Sequence, residues 1–281
     1  MANRRTKILE IVKIQQEAAD TKFDHLAIEE PLEIQIEFGL QGKRQRNSIS
    51  VTMRTPRHDA DLAVGFLFTE GIIKSYEQIK SVGPAWHANR AVDMNSILVV
   101  LQEEIQVDLK RLERHFYTSS SCGVCGKSSI DAVRQNHFPS LPQRTPLFEI
   151  SKIHHFPSAL QSLQSVFEKT GGLHAAALFD PEGKLHLLRE DVGRHNAVDK
   201  LIGAAISSNL FPLNDFLIMV SGRVSFELVQ KSLMAGLPAI AAVGAPSSLA
   251  VELAEEFGMT VLGFVRNQRF NIYSGAQRIV F

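Results

Sequence analysis

Cys122 and Cys125 are the only cysteines of the chain, and they form a CxxC motif in the segment CGVCGK. The glycines beside them allow the backbone to turn tightly and leave the sulfur atoms accessible. If residues 128–134 form a helix, its N-terminus and Lys127 would lower the pKa of a cysteine next to them. A lower pKa enlarges the thiolate fraction, and the thiolate is the form that attacks sulfur. The motif therefore predicts reactive thiol chemistry.

Four kinds of site fit this CxxC motif. The cysteines are small structural residues, two ligands of a zinc ion, a thioredoxin-type dithiol, or the carrier of a sulfur or acyl group. Zinc needs two further ligands, and the chain has neither a second CxxC nor a finger-like histidine spacing. A thioredoxin-type dithiol follows a strand of a βαβ unit, whereas this motif follows the hydroxyl-rich run 118–121. The carrier interpretation is favoured, but the motif alone leaves the other three open.

Polar residues follow several strands that hydrophobic periodicity predicts in the second half of the chain. In an open α/β sheet, ligands bind at the carboxyl ends of the strands, where helix N-termini and arginines bind phosphate oxygens. The sequence therefore predicts an anionic, nucleotide-sized ligand at this edge. The residues are Arg194 and His195 after one strand, Ser221, Gly222 and Arg223 after the next, Gly244–Ser248 after the third, and Arg266 and Arg269 after the last.

Each of these clusters has a simpler interpretation. Asp191, Ser221 and Ser247 are also suitable as helix caps. Charged residues within the predicted helices, namely Asp199, Glu227 and Glu252, are expected on solvated helix faces.

His174 lies in the segment GGLHAAA, which resembles the strand-edge motif of the zinc nucleoside deaminases. Those enzymes need a glutamate two residues after the histidine and a later CxxC. Here Ala176 takes the place of the glutamate, and the CxxC lies upstream. Deaminase chemistry is excluded, so His174 is either a core histidine or a residue of the ligand site.

Charge and hydropathy exclude further classes. The 281 residues contain 30 Lys+Arg and 30 Asp+Glu, and this balance argues against a dedicated nucleic-acid-binding protein. No apolar run approaches the roughly 18 residues that a membrane-spanning helix needs. The N-terminal residues lack the apolar stretch of a signal peptide, so we expect a cytoplasmic protein.

The predicted elements divide at about residue 114, into parts 1–114 and 115–281. The first part contains a hairpin of strands 32–38 and 49–53, a helix over 59–73 and a strand over 95–102. The second contains helices over 158–169, 195–207, 226–235 and 247–257, and strands over 173–179, 184–189, 216–220, 239–243 and 260–265. The order α-β-β-α-β-α-β-α-β predicts a mixed sheet with helices on both faces, preceded by a smaller β-rich part.

Five blocks of sequence resemble the formate dehydrogenase accessory sulfurtransferases, the FdhD family. They are DLAVGFLFTEGII at 61–73, SSCGVCGK at 120–127, TGGLHAAALFD at 170–180, EDVGRHNAVDKLIG at 190–203, and the long block from SGRVSFELVQ to GFVR at 221–266. The resemblance covers nearly the whole chain. It implies an α/β protein whose C-terminal domain is a cytidine-deaminase-like, three-layer α/β/α domain with a mixed sheet.

The resemblance also implies a function. A cysteine desulfurase would supply persulfide sulfur, Cys122 would carry it, and Cys125 would assist by accepting the sulfur or by closing a disulfide that expels it. The acceptor would be the molybdenum bis(molybdopterin guanine dinucleotide) cofactor, bound as a substrate and destined for formate dehydrogenase. The segment implied to contact this cofactor is Phe264, Val265, Arg266, Asn267, Gln268 and Arg269.

Some expectations remain alternatives. Many relatives carry a Pro-Gly pair where Asn267 and Gln268 stand, which leaves the shape of this turn open. A non-catalytic chaperone that binds the same cofactor is the main rival function, followed by a dithiol oxidoreductase and a zinc protein. No permanent metal, nucleic acid or membrane partner is expected, and a homodimer is compatible with the resemblance.

Overall fold

A computed structural model describes residues 5–86, 92–107, 138–208 and 210–281. The predicted boundary near residue 114 and the CxxC motif with Cys122 and Cys125 lie outside these ranges. Both therefore stay predictions.

The first part of the chain is rich in strands. Strands β1 (Thr6–Gln15) and β2 (Ala18–Ala27) pair antiparallel in a two-stranded ribbon that the sequence did not lead us to expect. Strands β3 (Glu30–Phe38), β4 (Gln45–Arg54), β5 (Ile79–Trp86) and β6 (Val92–Leu101) form a sheet in the order β4-β3-β6-β5. The predicted hairpin of β3 and β4 and the predicted strand near 95–102 are confirmed.

Helix α1 spans Asp59–Thr69 and ends before Ile73, where the periodicity placed its end. The chain leaves the helix at Gly71, whose φ of 72° lies in the left-handed region that glycine adopts readily. The amide of Ile72 still donates to the carbonyl of Leu67, and Ile73 is still buried in the core. The helical spacing of apolar residues extends beyond the end of α1 because residues 70–73, although not helical, still contribute apolar side chains to the core. The predicted helix was therefore too long.

Eight further strands lie in the described residues of the second part. They are β7 (Phe148–Glu149), β8 (His174–Phe179), β9 (Leu185–Asp191), β10 (Leu217–Val220), β11 (Ala239–Ala242), β12 (Thr260–Arg266), β13 (Arg269–Ser274) and β14 (Ile279–Val280). Six of them form one sheet in the order β13-β12-β11-β10-β8-β9, and β7 pairs with β14. Within the sheet β10, β11 and β12 are parallel and the other pairings are antiparallel. The predicted mixed sheet is confirmed, and β13 adds an edge strand to it.

In the described residues of the second part, the helices are α2 (Ile150–Ile153), α3 (Phe156–Leu163), α4 (Phe167–Thr170), α5 (Arg194–Ser207), α6 (Phe226–Met234) and α7 (Ser248–Glu256). The last three agree with the predicted helices. The single helix expected over 158–169 is wrong, because the chain breaks at Gln164, whose ψ of 67° is not helical. The break lets the Phe167 amide donate to the buried carboxylate of Glu190 at 3.0 Å, so that a side chain outside the helix caps α4.

The two faces of the six-stranded sheet bury different clusters. Ile218 and Ile240 point into a cluster that contains residues of α5, α6 and α7 together with α1 and the inner face of the N-terminal sheet. Leu217 and Ala239 point into a second cluster with Phe148 and residues of α2 and α3. The sheet is therefore covered on both faces, and the two parts of the chain share one of the two cores. In the described part of the chain, no helix is long and apolar enough to cross a membrane.

Candidate functional site

The topology brings the predicted ligand residues to one edge of the six-stranded sheet. The parallel strands β10, β11 and β12 all end at this edge. Their antiparallel neighbour β8 begins there and β9 ends there, because His174 at the start of β8 pairs with Asp191 at the end of β9. We call this the carboxyl edge. It holds His174, Arg194, His195, Ser221, Gly222, Arg223, Gly244–Ser248 and Phe264–Arg269.

The loops along the carboxyl edge contact one another through their backbones. The Gly244 amide donates to the Gly222 carbonyl at 3.0 Å, and the Phe264 amide donates to the Gly244 carbonyl at 3.0 Å. A Cβ atom on Gly244 would lie 2.9 Å from the Gly222 oxygen and 3.0 Å from Cγ of Arg223. Glycine is therefore required at 244 by this close approach, and the loops after β10, β11 and β12 form one continuous surface.

Phe264 and the turn that follows adopt strained backbone conformations. Phe264 has a φ of 55°, which is rare for a bulky residue, and it lies where the pairing of β12 with β13 is shifted. Asn267 and Gln268 have φ values of 51° and 56° and form the two-residue turn between Arg266 and Arg269. Proline, with its φ fixed near −65°, cannot occupy position 267 in this turn. The turn shape left open by the sequence is thus one in which both residues are left-handed.

Four arginines of the carboxyl edge form no ion pair with any residue that the structure describes: Arg194, Arg223, Arg266 and Arg269. Elsewhere Arg5, Arg44, Arg54 and Arg189 each pair with a carboxylate. The Arg266 guanidinium lies 5.8 Å from the centre of the Phe264 ring, a cation–π distance. The unpaired positive charges favour an anion, and arginine binds phosphate oxygens bidentately.

Two histidines stand beside these arginines. His174 is half-buried, and burial together with the charges of Arg194 and His195 lowers its pKa. Its Nδ1 would lie 3.3 Å from a Cβ atom on Gly222, so His174 belongs to the edge rather than to the core. His195 is 8% exposed, and its Nε2 forms no hydrogen bond with the described residues. The nearest carboxylate oxygen in an ion pair is Oε2 of Glu227 at 3.9 Å, which is too long for a hydrogen bond.

Two of the three acidic residues expected on solvated helix faces are instead in contact with the protein interior. Burial raises the pKa of Glu227, but His195, Ser225 and its own amide stabilise the carboxylate and lower the pKa to about 2. Asp199 is buried and accepts hydrogen bonds from Lys231 at 2.9 Å and Thr69 at 2.8 Å. Burial raises the pKa of Asp199 in spite of the lysine. Both expectations were wrong because α5 and α6 are covered on most sides; Glu252 is exposed as expected.

The three residues that the sequence also offered as helix caps, Asp191, Ser221 and Ser247, have different roles in the structure. Ser247 caps α7, because its Oγ accepts from the amide of Ala250 at 3.3 Å. Ser221 Oγ instead accepts from the amide of Ala175 at 2.9 Å and ties the end of β10 to the start of β8. Asp191 accepts from the amide of Gly193 at 2.8 Å and from Lys200 at 2.6 Å, so it fixes the turn before α5.

Sequence reasoning missed the importance of Lys200 and Thr55. Both are buried and both contact the turn that carries Arg194. A lysine within a helix is normally exposed, and no periodicity distinguishes a buried one. Among the described residues, no cluster of three His, Cys, Asp or Glu side chains is arranged to hold a metal ion.

Comparisons with known proteins agree on one family. The profile of the FdhD/NarQ family matches residues 27–280. The sulfur carrier protein FdhD of Streptomyces avermitilis is 45% identical over 281 residues, covering 98% of this chain and 96% of that protein. The protein of the same name from Saccharolobus solfataricus is 37% identical and covers 98% of both chains. A crystal structure from Desulfotalea psychrophila, assigned as a formate dehydrogenase accessory protein, superposes with a TM-score of 0.73 at 25% identity, covering 99% of this chain and 100% of that one.

Proposed function

The chain belongs to the FdhD/NarQ family, and from this membership we propose that it carries sulfur for the maturation of formate dehydrogenase. The sulfur donor is the persulfide of a cysteine desulfurase. The acceptor is the molybdenum bis(molybdopterin guanine dinucleotide) cofactor, which the protein binds as a substrate in the cytoplasm before formate dehydrogenase receives it. In this proposal the C-terminal mixed sheet and its helices form a cytidine-deaminase-like domain that provides the cofactor surface without deaminase chemistry.

Cys122 carries the sulfur in this proposal. Its thiolate attacks the outer sulfur of the donor persulfide, the donor S–S bond breaks, and the desulfurase leaves as a thiolate. The outer sulfur of the new Cys122 persulfide then reaches the cofactor as sulfide, and a dithiol, either the CxxC pair or a cellular one, supplies the two electrons and ends as a disulfide. Cys125 accelerates release in one of two ways. It accepts the sulfur itself, or it attacks the inner sulfur of Cys122, which expels hydrosulfide and leaves a disulfide for a cellular dithiol to reduce.

The observation that carries the proposed cofactor site is the set of unpaired arginines on the carboxyl edge. A dinucleotide cofactor presents several phosphates, and each arginine offers a fork of donors that matches a phosphate. Gly244 lets the loops after β10, β11 and β12 approach one another closely, so that Arg223 and the segment 264–269 lie on one continuous surface. We assign cofactor contacts to Arg194 and His195, to Ser221, Gly222 and Arg223, and to the segment 264–269.

Intact-protein mass spectrometry tests the carrier step. The wild-type protein, Cys122→Ala and Cys125→Ala are incubated with a cysteine desulfurase and cysteine. We expect the mass of one extra sulfur on the wild-type protein, removable by a reductant, and its loss in Cys122→Ala. An unchanged extra mass in Cys122→Ala, or no extra mass in any form, contradicts the proposal.

A cofactor chaperone is the second candidate, because the unpaired arginines support binding whether or not the cysteines react. The two functions differ in what Cys122→Ala does to formate dehydrogenase in cells. The carrier requires loss of formate dehydrogenase activity, although guanosine diphosphate, a fragment of the cofactor, still binds to the variant. The chaperone retains both. A homodimer is compatible with either function and is tested by light scattering.

A further inference from the structure

Buried side chains from both parts of the chain form hydrogen bonds with the turn that carries Arg194 and His195. Asp191 is completely buried at the end of β9, and each of its carboxylate oxygens accepts two hydrogen bonds. Oδ1 accepts from the Gly193 amide at 2.8 Å and from Asn196 Nδ2 at 3.3 Å. Oδ2 accepts from Lys200 Nζ at 2.6 Å and from the Thr55 amide at 3.1 Å.

Thr55 completes this network from the N-terminal sheet. Its carbonyl accepts from Lys200 Nζ at 2.7 Å, and its Oγ1 accepts from the Val192 amide at 3.2 Å. Asn196 Nδ2 also donates to the carbonyl of Met53 at 2.8 Å. The end of β4 and the first turn of α5 are therefore joined on both sides of Arg194, at residues 191–193 and at residue 196.

We infer that Asp191 and Lys200 are positioning residues, which hold Arg194 and His195 in the orientation that binds an anionic phosphate. This inference rests on the proposed cofactor site and identifies what preorganises it. Neither positioning side chain is accessible to a ligand at the edge, because Asp191 is fully buried and Lys200 is 1% exposed. Their effect on a ligand must therefore pass through the turn that they hold.

Energetics supports a positioning role over a purely stabilising one. A buried ion pair loses much of its attraction to desolvation, and well-packed apolar residues often replace it without loss of stability. Burial, with a smaller contribution from the charge of Arg5, lowers the pKa of Lys200 in spite of Asp191, which shows how costly this location is for the ammonium group. The pair is useful where it specifies one geometry, and here the geometry specified is the backbone of residues 191–196.

The direction in which Asp191→Asn changes the affinity for an anion distinguishes a positioning role from a purely electrostatic one. Asp191→Asn removes a negative charge that lies close enough to His174 to affect its pKa. If charge alone mattered, this neutralisation would strengthen the binding of an anion. If Asp191 acts as a positioning residue, the amide leaves Lys200 without its carboxylate, the turn loosens and binding weakens.

The experiment measures the dissociation constant of guanosine diphosphate by isothermal titration calorimetry with the full-length protein. We expect Asp191→Asn to weaken binding at least tenfold. Arg194→Gln should weaken it comparably, and Asp191→Asn should add little in the Arg194→Gln background, because the aspartate acts through the arginine. Unchanged or tighter binding by Asp191→Asn, or additive losses in the double variant, overturns the inference.

A second buried pair provides the matched control. Asp199 and Lys231 are also buried and join α5 to α6, and the side-chain hydrogen bonds and ion pairs of this pair go to each other, Thr69 and Glu70 instead of to residues 191–196. The paired replacement Asp199→Asn with Lys231→Met should change the affinity less than threefold. Asp191→Asn with Lys200→Met should lose affinity for the nucleotide even if both double variants have the same melting temperature. Equal losses in the two double variants mean that general loosening is the cause, and the inference is then wrong.

Failure of the proposed function gives a different result. If the wild-type protein does not bind guanosine diphosphate, the cofactor site is wrong and the positioning inference is wrong with it. If the wild-type protein binds and all variants bind equally, the positioning inference alone is wrong. Sulfur loading of Cys122 should be unchanged in Asp191→Asn, because the donor step does not use Arg194.

Discussion

Gly65→Ala is expected to destabilise the protein strongly, because α1 and α5 cross with their backbones in contact. A Cβ atom on Gly65 would lie 2.6 Å from the carbonyl carbon of Asp199, 2.9 Å from the amide nitrogen of Gly203, and closer still to the Asp199 oxygen. The relation is reciprocal, since a Cβ atom on Gly203 would lie 2.8 Å from the carbonyl carbon of Asp61. Both helices present backbone at this point, so no side-chain rotation relieves the overlap.

The magnitude follows from the separation that a methyl group requires. Carbon atoms pack at about 3.5–4.0 Å, so the helices must move apart by on the order of 1 Å, and such a gap forfeits about a quarter to a half of each dispersion contact. Three large side chains at this interface, Leu62, Leu201 and Ile202, are essentially inaccessible to solvent. A loss of about a third of the roughly 1.5–3 kcal/mol that each of the three contributes gives about 1.5–3 kcal/mol in total. Strain from overpacking adds about 1–3 kcal/mol to the destabilisation. The higher helix propensity of alanine reduces the destabilisation by about 1 kcal/mol. We expect a net loss of roughly 3 kcal/mol.

Urea denaturation followed by circular dichroism measures this loss as a shift of the midpoint at constant slope. Gly83→Ala in β5 is the matched control, because a Cβ atom there meets nothing within 4 Å. Its free energy of unfolding should stay within about 0.5 kcal/mol of the wild-type value. A cost below about 1 kcal/mol for Gly65→Ala would refute the backbone contact between α1 and α5.

Three further substitutions test separate parts of the structure. Gln268→Gly should raise the free energy of unfolding by up to about 1 kcal/mol, because glycine adopts the left-handed conformation of the turn without strain; a lower melting temperature would contradict the turn geometry. Ser247→Ala should cost about 1 kcal/mol through the lost cap of α7, measured by urea denaturation; an unchanged midpoint would argue against the cap. Partial burial raises the pKa of Asp180, but hydrogen bonds from the His186 ring and the Lys184 amide outweigh it and leave the pKa below 3.8. This stabilisation is therefore complete above about pH 4 and disappears as the pH falls below 3.8, through the folded-state pKa. Asp180→Asn should destabilise the protein at pH 7, and the difference from the wild-type protein should shrink at pH 3; a constant difference would exclude the carboxylate as its source.

Hydrophobic periodicity predicted most of the second part because its strands are buried and short. Buried strands such as Leu217–Val220 read as continuous apolar runs, and the polar residues that follow them mark the strand ends. The strand ends place Ser221 and Arg266 on the same edge, because β10, β11 and β12 are parallel, and Arg194 joins them because β8 is antiparallel to both β10 and β9. The edge that carries the candidate residues could therefore be predicted from the strand pattern.

Other features could not be predicted because they depend on what covers an element. Asp199 and Lys200 are adjacent on α5, and a sequence pattern treats both as exposed. In the structure α5 is enclosed by α1, the sheet, the end of β4 and α6, and each charge has a buried partner on a different element. The ribbon of β1 and β2 escaped prediction for the opposite reason, since many of its apolar residues, Phe23 among them, are exposed and show no buried face.

Backbone strain and unpaired charge occur together around the carboxyl edge, and this coincidence argues for a ligand. Among the described residues, six that are not glycine have a positive φ: Gln16, Arg57, His58, Phe264, Asn267 and Gln268. Three of them belong to the segment 264–269 at the end of β12 and in the turn after it, and Arg57 and His58 are separated by a single proline from Thr55, which binds Asp191. Such conformations cost on the order of 1–3 kcal/mol each and persist where the surrounding structure enforces them. A protein selected for stability alone would place glycine at these positions and pair the arginines, as it does with Arg54 and Arg189 elsewhere. A bound polyanion compensates the charge of the arginines. A backbone that is already fixed before binding loses less conformational entropy when the polyanion binds.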